Sequence, residues 1–142
     1  MGINERKERE KEVLQKSILT AAREVFLEKG FDQTSIRSIA QRIEYSPTTI
    51  YLYYKDKDAI LYALHTEGFY LLGSKMEVLN SVENPLERVK AMGRVYIQFA
   101  MEHPDYYDLM FVQKSPMNKL DEDHDVWKEG QTTFDGLKFT VH

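Results

Sequence analysis

The sequence predicts an all-α protein, and three observations support this prediction. Apolar residues recur at helical spacing along most of the chain, and no stretch alternates long enough to form a strand. Glycine and proline fall between these segments, so the connections are short. With 142 residues, 42% of them hydrophobic, the chain can bury a core. We predict an N-terminal domain of three helices over residues 1–57 and a C-terminal helical bundle over residues 58–142.

The first helix is predicted to end at Gly30, since glycine suits the position just after a helix C-terminus. Its buried face is formed by residues at helical spacing: Leu14, Ile18, Ala21, Ala22, Val25 and Phe26. The preceding run ERKEREKE, residues 5–12, is predicted to extend the helix into solvent, with i,i+4 ion pairs. A basic arm that touches phosphate is the alternative interpretation of this run.

Two short helices are predicted next. The second helix begins after Thr34, a plausible N-cap. Its buried face consists of Ile36, Ile39, Ala40 and Ile43. After a break at residues 44–46, a third helix opens with Ser46 as N-cap and Pro47 in the first position, and it extends to about Tyr54.

A fourth helix is predicted from its N-cap Asp56 to a point before Asn84-Pro85, since the residue before proline disfavours the helical region. One side of this helix carries Ile60, Leu61, Leu64, Gly68, Leu71 and Leu72. A fifth helix is predicted from Leu86 to about Glu102. The residues expected to face inward on it are Leu86, Val89, Gly93, Tyr96 and Ala100.

The remaining chain is predicted to form one short helix and one longer helical segment. Pro104 is a candidate for the first position of a short helix that ends near Phe111. A loop then leads to a last helical segment over about 126–141.

Composition excludes several classes of protein. The net charge is −4, but residues 1–57 carry 11 basic and 9 acidic residues, whereas residues 58–142 carry 8 and 14. The front part therefore tolerates an anionic partner better than the rear part. There is no cysteine, no apolar run long enough to span a membrane and no signal-peptide pattern at the N-terminus. We expect a cytoplasmic protein.

The second and third predicted helices have the form of a helix-turn-helix, because about three residues join them and a longer helix braces them. On a helical wheel, Ile50 and Tyr54 point inward, and Thr48 and Leu52 lie opposite. Thr49, Tyr51 and Tyr53 lie on the flanks. Hydroxyl groups bond to phosphates or base edges, and apolar groups contact the thymine methyl. Packing of Tyr51 and Tyr53 within the bundle remains an alternative.

The stretch TSIRSIAQRIEYSPTTIYLYYKDKDAILYAL, residues 34–64, resembles the DNA-binding region of the TetR family of bacterial transcriptional regulators. The resemblance extends to about residue 14. It implies that Ser46, Pro47, Thr48 and Thr49 start the recognition helix and that Tyr51 and Tyr53 contact base methyl groups and phosphate. It also implies that Thr34 and Lys57 contact the DNA backbone, beside Lys55. Tyr54 replaces an inward phenylalanine.

Three departures from the family pattern affect the reading surface. The family turn usually reads Ala-Gly-Val-Ser, where this sequence has Ile43-Glu44-Tyr45-Ser46. Loss of the glycine is expected to strain the turn or to change its geometry, and Glu44 adds a negative charge near the DNA side. Thr48 stands where glycine is frequent, which should alter base readout. Leu52 replaces a residue that is commonly polar or aromatic.

The rear part resembles one subgroup of the same family through HPDYYDLMFVQKSP, residues 103–116. The resemblance implies a pocket for a small apolar or amphipathic effector. Its candidate lining residues are Tyr62, Phe69, Met92, Tyr96, Phe99, Tyr107, Met110, Phe111 and Trp127. Each of them could equally be ordinary bundle core. Tyr96 stands out because a buried phenol needs a hydrogen-bond partner.

The sequence offers little support for an enzyme or a metal site. The run DEDHD, residues 121–125, lacks the glycine and glutamate that a calcium loop requires at its sixth and twelfth positions. Serine–histidine–aspartate, Walker and dinucleotide motifs do not occur, so we predict no catalysis and no cofactor.

The resemblance implies a ligand-responsive regulator, most simply a repressor. It would bind palindromic double-stranded operator DNA as a homodimer and be released by the effector. The alternative is a helical ligand-binding or protein-interaction module that does not bind DNA. Since the chain ends where family members would begin their dimer-forming helices, we expect either an incomplete rear domain or a different assembly.

Overall fold

The computed structural model describes residues 2–113, and every regular element in that range is helical. The helices are α1 (Ile3–Lys29), α2 (Ile36–Arg42), α3 (Pro47–Tyr51), α4 (Lys57–Glu77), α5 (Pro85–Glu102) and α6 (Pro104–Tyr107). A 3₁₀ turn (Val78–Ser81) follows α4, and a π-helical turn (Asp108–Val112) follows α6. The predicted all-α fold is confirmed. The chain forms two compact units that divide between Ala63 and Leu64.

The front unit is organised around the apolar face of α1. Ile18, Ala22, Val25 and Phe26 are almost completely buried, as their spacing predicts. The helix ends at Gly30, whose φ of 81° lies in the left-handed region that favours glycine. The predicted solvated extension is also confirmed, since residues 3–13 are helical and exposed.

A bidentate ion pair joins α2 to α1. The Arg42 guanidinium donates to both carboxylate oxygens of Glu28, at 2.7 and 2.6 Å, and also reaches Glu24 at 3.3 Å. The hydrogen bonds to Arg42 lower the pKa of the Glu28 carboxyl. The paired planar groups add directional contacts to the apolar packing of the two helices.

The boundaries of α2 and α3 differ from prediction. The N-cap of α2 is Ser35 rather than Thr34: Ser35 and Ser38 form a reciprocal capping box at 3.0 and 3.1 Å. The Thr34 hydroxyl points back to the end of α1 instead. The α3 helix ends at Tyr51 and continues as a turn, although Ile50 and Tyr54 are both buried as predicted.

In the rear unit, α5 is rotated relative to the sequence prediction. Its buried residues are Arg88, Met92 and Phe99, whereas Leu86 and Val89 are exposed. The predicted inward face was therefore wrong at Leu86, Val89 and Gly93, whereas Tyr96 and Ala100, which were also predicted to face inward, are half-buried. Apolar residues occur on more than one face of α5, so spacing alone did not fix its orientation.

The N-terminal ends of α4, α5 and α6 agree with prediction. The Asp56 carboxylate accepts a hydrogen bond from the Ala59 amide at 2.8 Å, and Asn84 caps α5 through the Glu87 amide at 3.1 Å. Pro104 opens α6. The predicted helical segment over 126–141 lies outside the described residues. Among the described helices, none is long and apolar enough to cross a membrane.

Candidate functional site

The outward surface of α3 and the turn after it carries the residues predicted to read DNA. Thr48 is exposed, and Tyr51 and Leu52 keep 54% and 78% of their surface accessible. Ile50, on the opposite side of α3, is fully buried and packs the helix against the core of the front unit. Thr48, Tyr51 and Leu52 therefore face outward as predicted, whereas Thr49 and Tyr53, predicted on the flanks, are half-buried.

The N-terminus of α3 is held by its own cap. The Ser46 hydroxyl accepts a hydrogen bond from the Thr49 amide at 3.4 Å and lies 3.2 Å from the Thr49 hydroxyl. Pro47 occupies the first helical position and is half-buried. Ser46 and Thr49 are therefore engaged with each other, whereas Thr48 is exposed beside them.

Two residues predicted to contact the DNA backbone have internal partners. The Thr34 hydroxyl, buried at 4% exposure, donates to the Gly30 carbonyl at 2.7 Å. The Lys57 ammonium donates to the carbonyls of Phe31 and Thr34 at 2.7 and 3.2 Å, and it lies 4.3 Å above the Phe31 ring. Both side chains hold the α1–α2 connection. DNA contact by these two residues stays a prediction, as does contact by the exposed Lys55.

The turn between α2 and α3 contains a residue in a left-handed conformation. Glu44 has a φ of 59°, the only positive value at a non-glycine residue among those described. The Glu44 amide donates to Gln41, and the Tyr45 amide donates to Ala40. The expected strain at the position where the family carries glycine is therefore present in the backbone.

The aromatic candidates of the rear unit form a connected cluster. The Phe111 ring lies 5.7 Å from Phe69, 5.6 Å from Tyr96 and 5.3 Å from Tyr107. Phe99 and Met110, also predicted, pack with Phe69 in the core. Met92 is buried on α5. Tyr62 belongs to the front unit and is half-buried, and Trp127 lies outside the described residues.

The hydroxyl of Tyr96 has the partner that its partial burial requires. It donates to the Tyr107 hydroxyl at 3.4 Å, and the two rings meet edge to face. This hydrogen bond, together with burial, raises the pKa of Tyr96 to about 12. The Tyr96 phenol is therefore neutral at physiological pH, so it can offer a hydrogen bond without charge.

Sequence reasoning missed His65, which is 2% exposed on α4. Burial lowers the pKa of its imidazole to about 4, although a hydrogen bond with the Leu109 backbone acts in the opposite direction. Its Nε2 atom and the hydroxyl of Thr66 are buried without a hydrogen-bond partner among the described residues. The signal in the sequence was its position, since His65 follows Leu61 and Leu64 on an apolar helix face.

A metal centre finds no support in the part of the chain that the structure describes. Within residues 2–113 no three histidine, aspartate or glutamate side chains converge to hold an ion. The acidic run at residues 121–125 lies outside that range.

Comparison with known families agrees with the class of protein that this geometry defines, a helix-turn-helix protein with a second helical domain. A family model described as bacterial regulatory proteins, tetR family, matches residues 18–64. A second model, the tetracyclin repressor-like C-terminal domain, matches residues 89–139. Together they cover more than half of the sequence. The chain belongs to the TetR family, as the motifs of residues 34–64 predicted, and this is a family of transcriptional regulators.

Individual relatives are similar over parts of their length. An uncharacterised HTH-type transcriptional regulator, YdeS from Bacillus subtilis, is 44% identical over 46 residues, which is 32% of this chain and 23% of YdeS. The HTH-type transcriptional repressor Rv1474c from Mycobacterium tuberculosis is 28% identical over 110 residues, 78% of this chain. The chain spans about half of that repressor's length, 52%.

A solved structure shares the fold. The TetR family transcriptional regulator PfmR from Thermus thermophilus superposes with a TM-score of 0.70 and 23% sequence identity. The match covers 87% of this chain and 68% of PfmR. At this identity the likeness concerns the fold alone.

Proposed function

We propose that this chain is a transcriptional regulator, most simply a repressor, that binds palindromic operator DNA as a homodimer. Residues 1–57 would form the DNA-binding domain, and each protomer would place α3 in one major-groove half-site. The observation that carries the proposal is the outward surface of α3 and its following turn. There Thr48, Tyr51 and Leu52 are exposed while Ile50 is fully buried beneath them.

Hydroxyl and ring groups on this surface suit the contacts that DNA offers. Thr48 and Tyr51 can donate to base edges or phosphates, and Leu52 can contact thymine methyl groups. Tyr53, half-buried beside α3, would donate to a phosphate. The exposed Lys55 would add a positive charge close to the DNA phosphates.

Binding to the DNA around its own gene tests this role. Fluorescence anisotropy should detect an operator duplex that outcompetes random DNA, with affinity falling steeply as salt rises. Tyr53→Phe should weaken binding to all sequences alike, whereas Thr48→Gly should change the preference between sequences. Equal affinity for operator candidates and random DNA at physiological salt would refute the proposal.

Residues 58–142 would bind a small apolar or amphipathic effector and contribute to the dimer. The cluster of Phe69, Tyr96, Tyr107 and Phe111 supports this role, because adaptable apolar walls with a few hydrogen-bonding groups are typical of ligand sites. The effector would release DNA by binding more tightly to a conformer with low operator affinity. Compounds that raise the melting temperature should also dissociate the operator complex, and Tyr96→Phe should reduce both effects.

A helical module that does not bind DNA is the second candidate. The exposed Leu52 and the negative charge of Glu44 beside α3 favour it. The DNA titration distinguishes the two candidates, because such a module would show no operator preference at any salt concentration.

A further inference from the structure

The N-terminal part of α1 forms one wall of a groove beside the reading helix. The groove has a volume of about 640 Å³, and its walls include Lys7, Lys11 and Ser17 on α1 and Tyr45 and Tyr53 on either side of α3. Tyr45 is 50% exposed and directly precedes Ser46, the N-cap of α3. The groove therefore lies next to the residues proposed to read DNA.

Charges on this part of α1 are separated by face, although residues 5–12 contain four basic and four acidic residues. At about 100° per residue, Lys7 and Lys11 share a face with Leu14 and Ile18. This is the face that continues into the core, so the two lysines project toward the α3 side. The groove with Tyr45 and Tyr53 also includes Arg9 and a single acid, Glu10.

Acidic side chains gather on a different face of the same segment. Glu5, Glu8 and Glu12 line a second, shallower depression together with Asn4 and Arg9. Ion pairs within the extension are compatible with its helical structure, as in the 3.2 Å pair of Arg6 with Glu10. Such exposed pairs contribute little energy and do not require this separation of charge.

We infer that the groove between Lys7, Lys11, Tyr45 and Tyr53 holds the phosphodiester backbone of DNA that flanks the half-site read by α3. The inference rests on the proposed DNA-binding function and adds a second contact surface to it. Ammonium groups and phenolic hydroxyls are the donors that proteins use for phosphate oxygens. The long, exposed N-terminal part of α1 would then act as a backbone clamp.

The ammonium groups are accessible for this contact. Lys7 makes no ion pair within residues 2–113, and Lys11 makes only an exposed one, 3.5 Å from Glu8. Phosphate could displace the Glu8 carboxylate from Lys11 at little cost, because exposed pairs of this kind are weak.

Single-charge variants of the full chain test the clamp. Lys7→Gln and Lys11→Gln should each reduce the slope of log affinity against log salt by about one, and the double variant should bind DNA on the order of tenfold more weakly at about 100 mM salt. Lys16→Gln is the matched control, since Lys16 is exposed on the opposite face of α1 and loses the same charge. Circular dichroism should show unchanged helix content in all four variants.

The outcomes separate the clamp from the proposed function. If the Lys7→Gln/Lys11→Gln double variant has the same salt slope and DNA affinity as Lys16→Gln, the clamp is overturned. This holds even if the wild-type chain prefers its operator. Phosphate contacts are independent of sequence, so the same titrations on random duplex DNA should show the same loss of slope. Loss of slope without operator preference in the wild-type chain would refute the proposed regulator and keep the clamp. Lys7→Arg/Lys11→Arg should restore the wild-type slope.

Discussion

The two units treat buried polar groups differently. In the front unit the buried Thr34 hydroxyl is bonded to Gly30, and its neighbour Lys57 donates to backbone carbonyls, so polar groups hold helices in place. In the rear unit His65 is buried with its Nε2 atom lacking a protein partner among the described residues. The hydrogen bonds of Thr34 and Lys57 therefore fix the connection between α1 and α2, whereas the Nε2 atom of His65 adds no such contact to the rear unit.

The largest expected change in stability lies in the rear unit and tests which face of α5 is buried. Phe99→Ala should lower the free energy of unfolding by about 3–5 kcal/mol, because a fully buried aromatic ring is lost. Leu86→Ala, on the face that the sequence predicted to be inward, should cost less than about 0.5 kcal/mol, since Leu86 is 63% exposed. Urea titrations followed by circular dichroism measure both. The reverse order would place the core on the other face of α5.

The titration of His65 should make the protein less stable in acid. The unfolded imidazole titrates near pH 6.5 and the folded one near pH 4, so the unfolded chain binds more protons between these values. The contribution of the neutral, buried imidazole to the free energy of unfolding is complete above pH 6.5 and is lost as pH falls toward 4. Between pH 7 and 5 this amounts to about 2 kcal/mol.

Urea titrations at several pH values test this prediction. His65→Gln should remove that part of the slope of stability against pH, whatever its effect at pH 7. A variant with the wild-type slope would show that other groups cause the acid sensitivity.

The internal role of Lys57 is the third test, and it concerns the front unit. Lys57→Met keeps the unbranched apolar part of the side chain but removes the donor to the Phe31 and Thr34 carbonyls, so we expect a loss of about 1–2 kcal/mol. Lys55→Met is the control and should leave the free energy of unfolding unchanged, because Lys55 is exposed. In DNA titrations the order should reverse, with Lys55→Met lowering the salt slope more. Equal stability of both variants would mean that Lys57 does not hold the α1–α2 connection.

The smallest expected effect is a gain of stability in the turn between α2 and α3. Glu44→Gly should stabilise the chain by about 1 kcal/mol, because glycine adopts the left-handed conformation without the steric cost of a Cβ. Glu44→Gln removes the charge but keeps the strain, and its stability should match that of the wild-type chain. Thermal unfolding monitored by circular dichroism measures the difference. Similar gains in both variants would assign the effect to charge.

Prediction succeeded where short-range rules decide the structure. The caps at Ser46 and Asp56 follow from side-chain groups that satisfy amides at helix starts. The inward positions of Ile50 and Tyr54 follow from helical spacing. The cap at Ser35 was missed because threonine and serine both suit an N-cap position. The hydrogen bond from the Thr34 hydroxyl to the Gly30 carbonyl leaves Ser35 as the cap of α2.

The sequence by itself therefore determined the helical class, most helix boundaries, the outward surface of α3 and the family. Each of these depends on residues close together in the chain. Tertiary structure alone decided the rotation of α5, the internal role of Lys57 and the burial of His65. These features depend on contacts between segments far apart in sequence, such as Phe99 with Phe69 in the core of the rear unit. A helix with apolar residues on several faces can make more than one set of such contacts. Packing selects the arrangement that buries the most apolar surface at the lowest cost in unpaired polar groups.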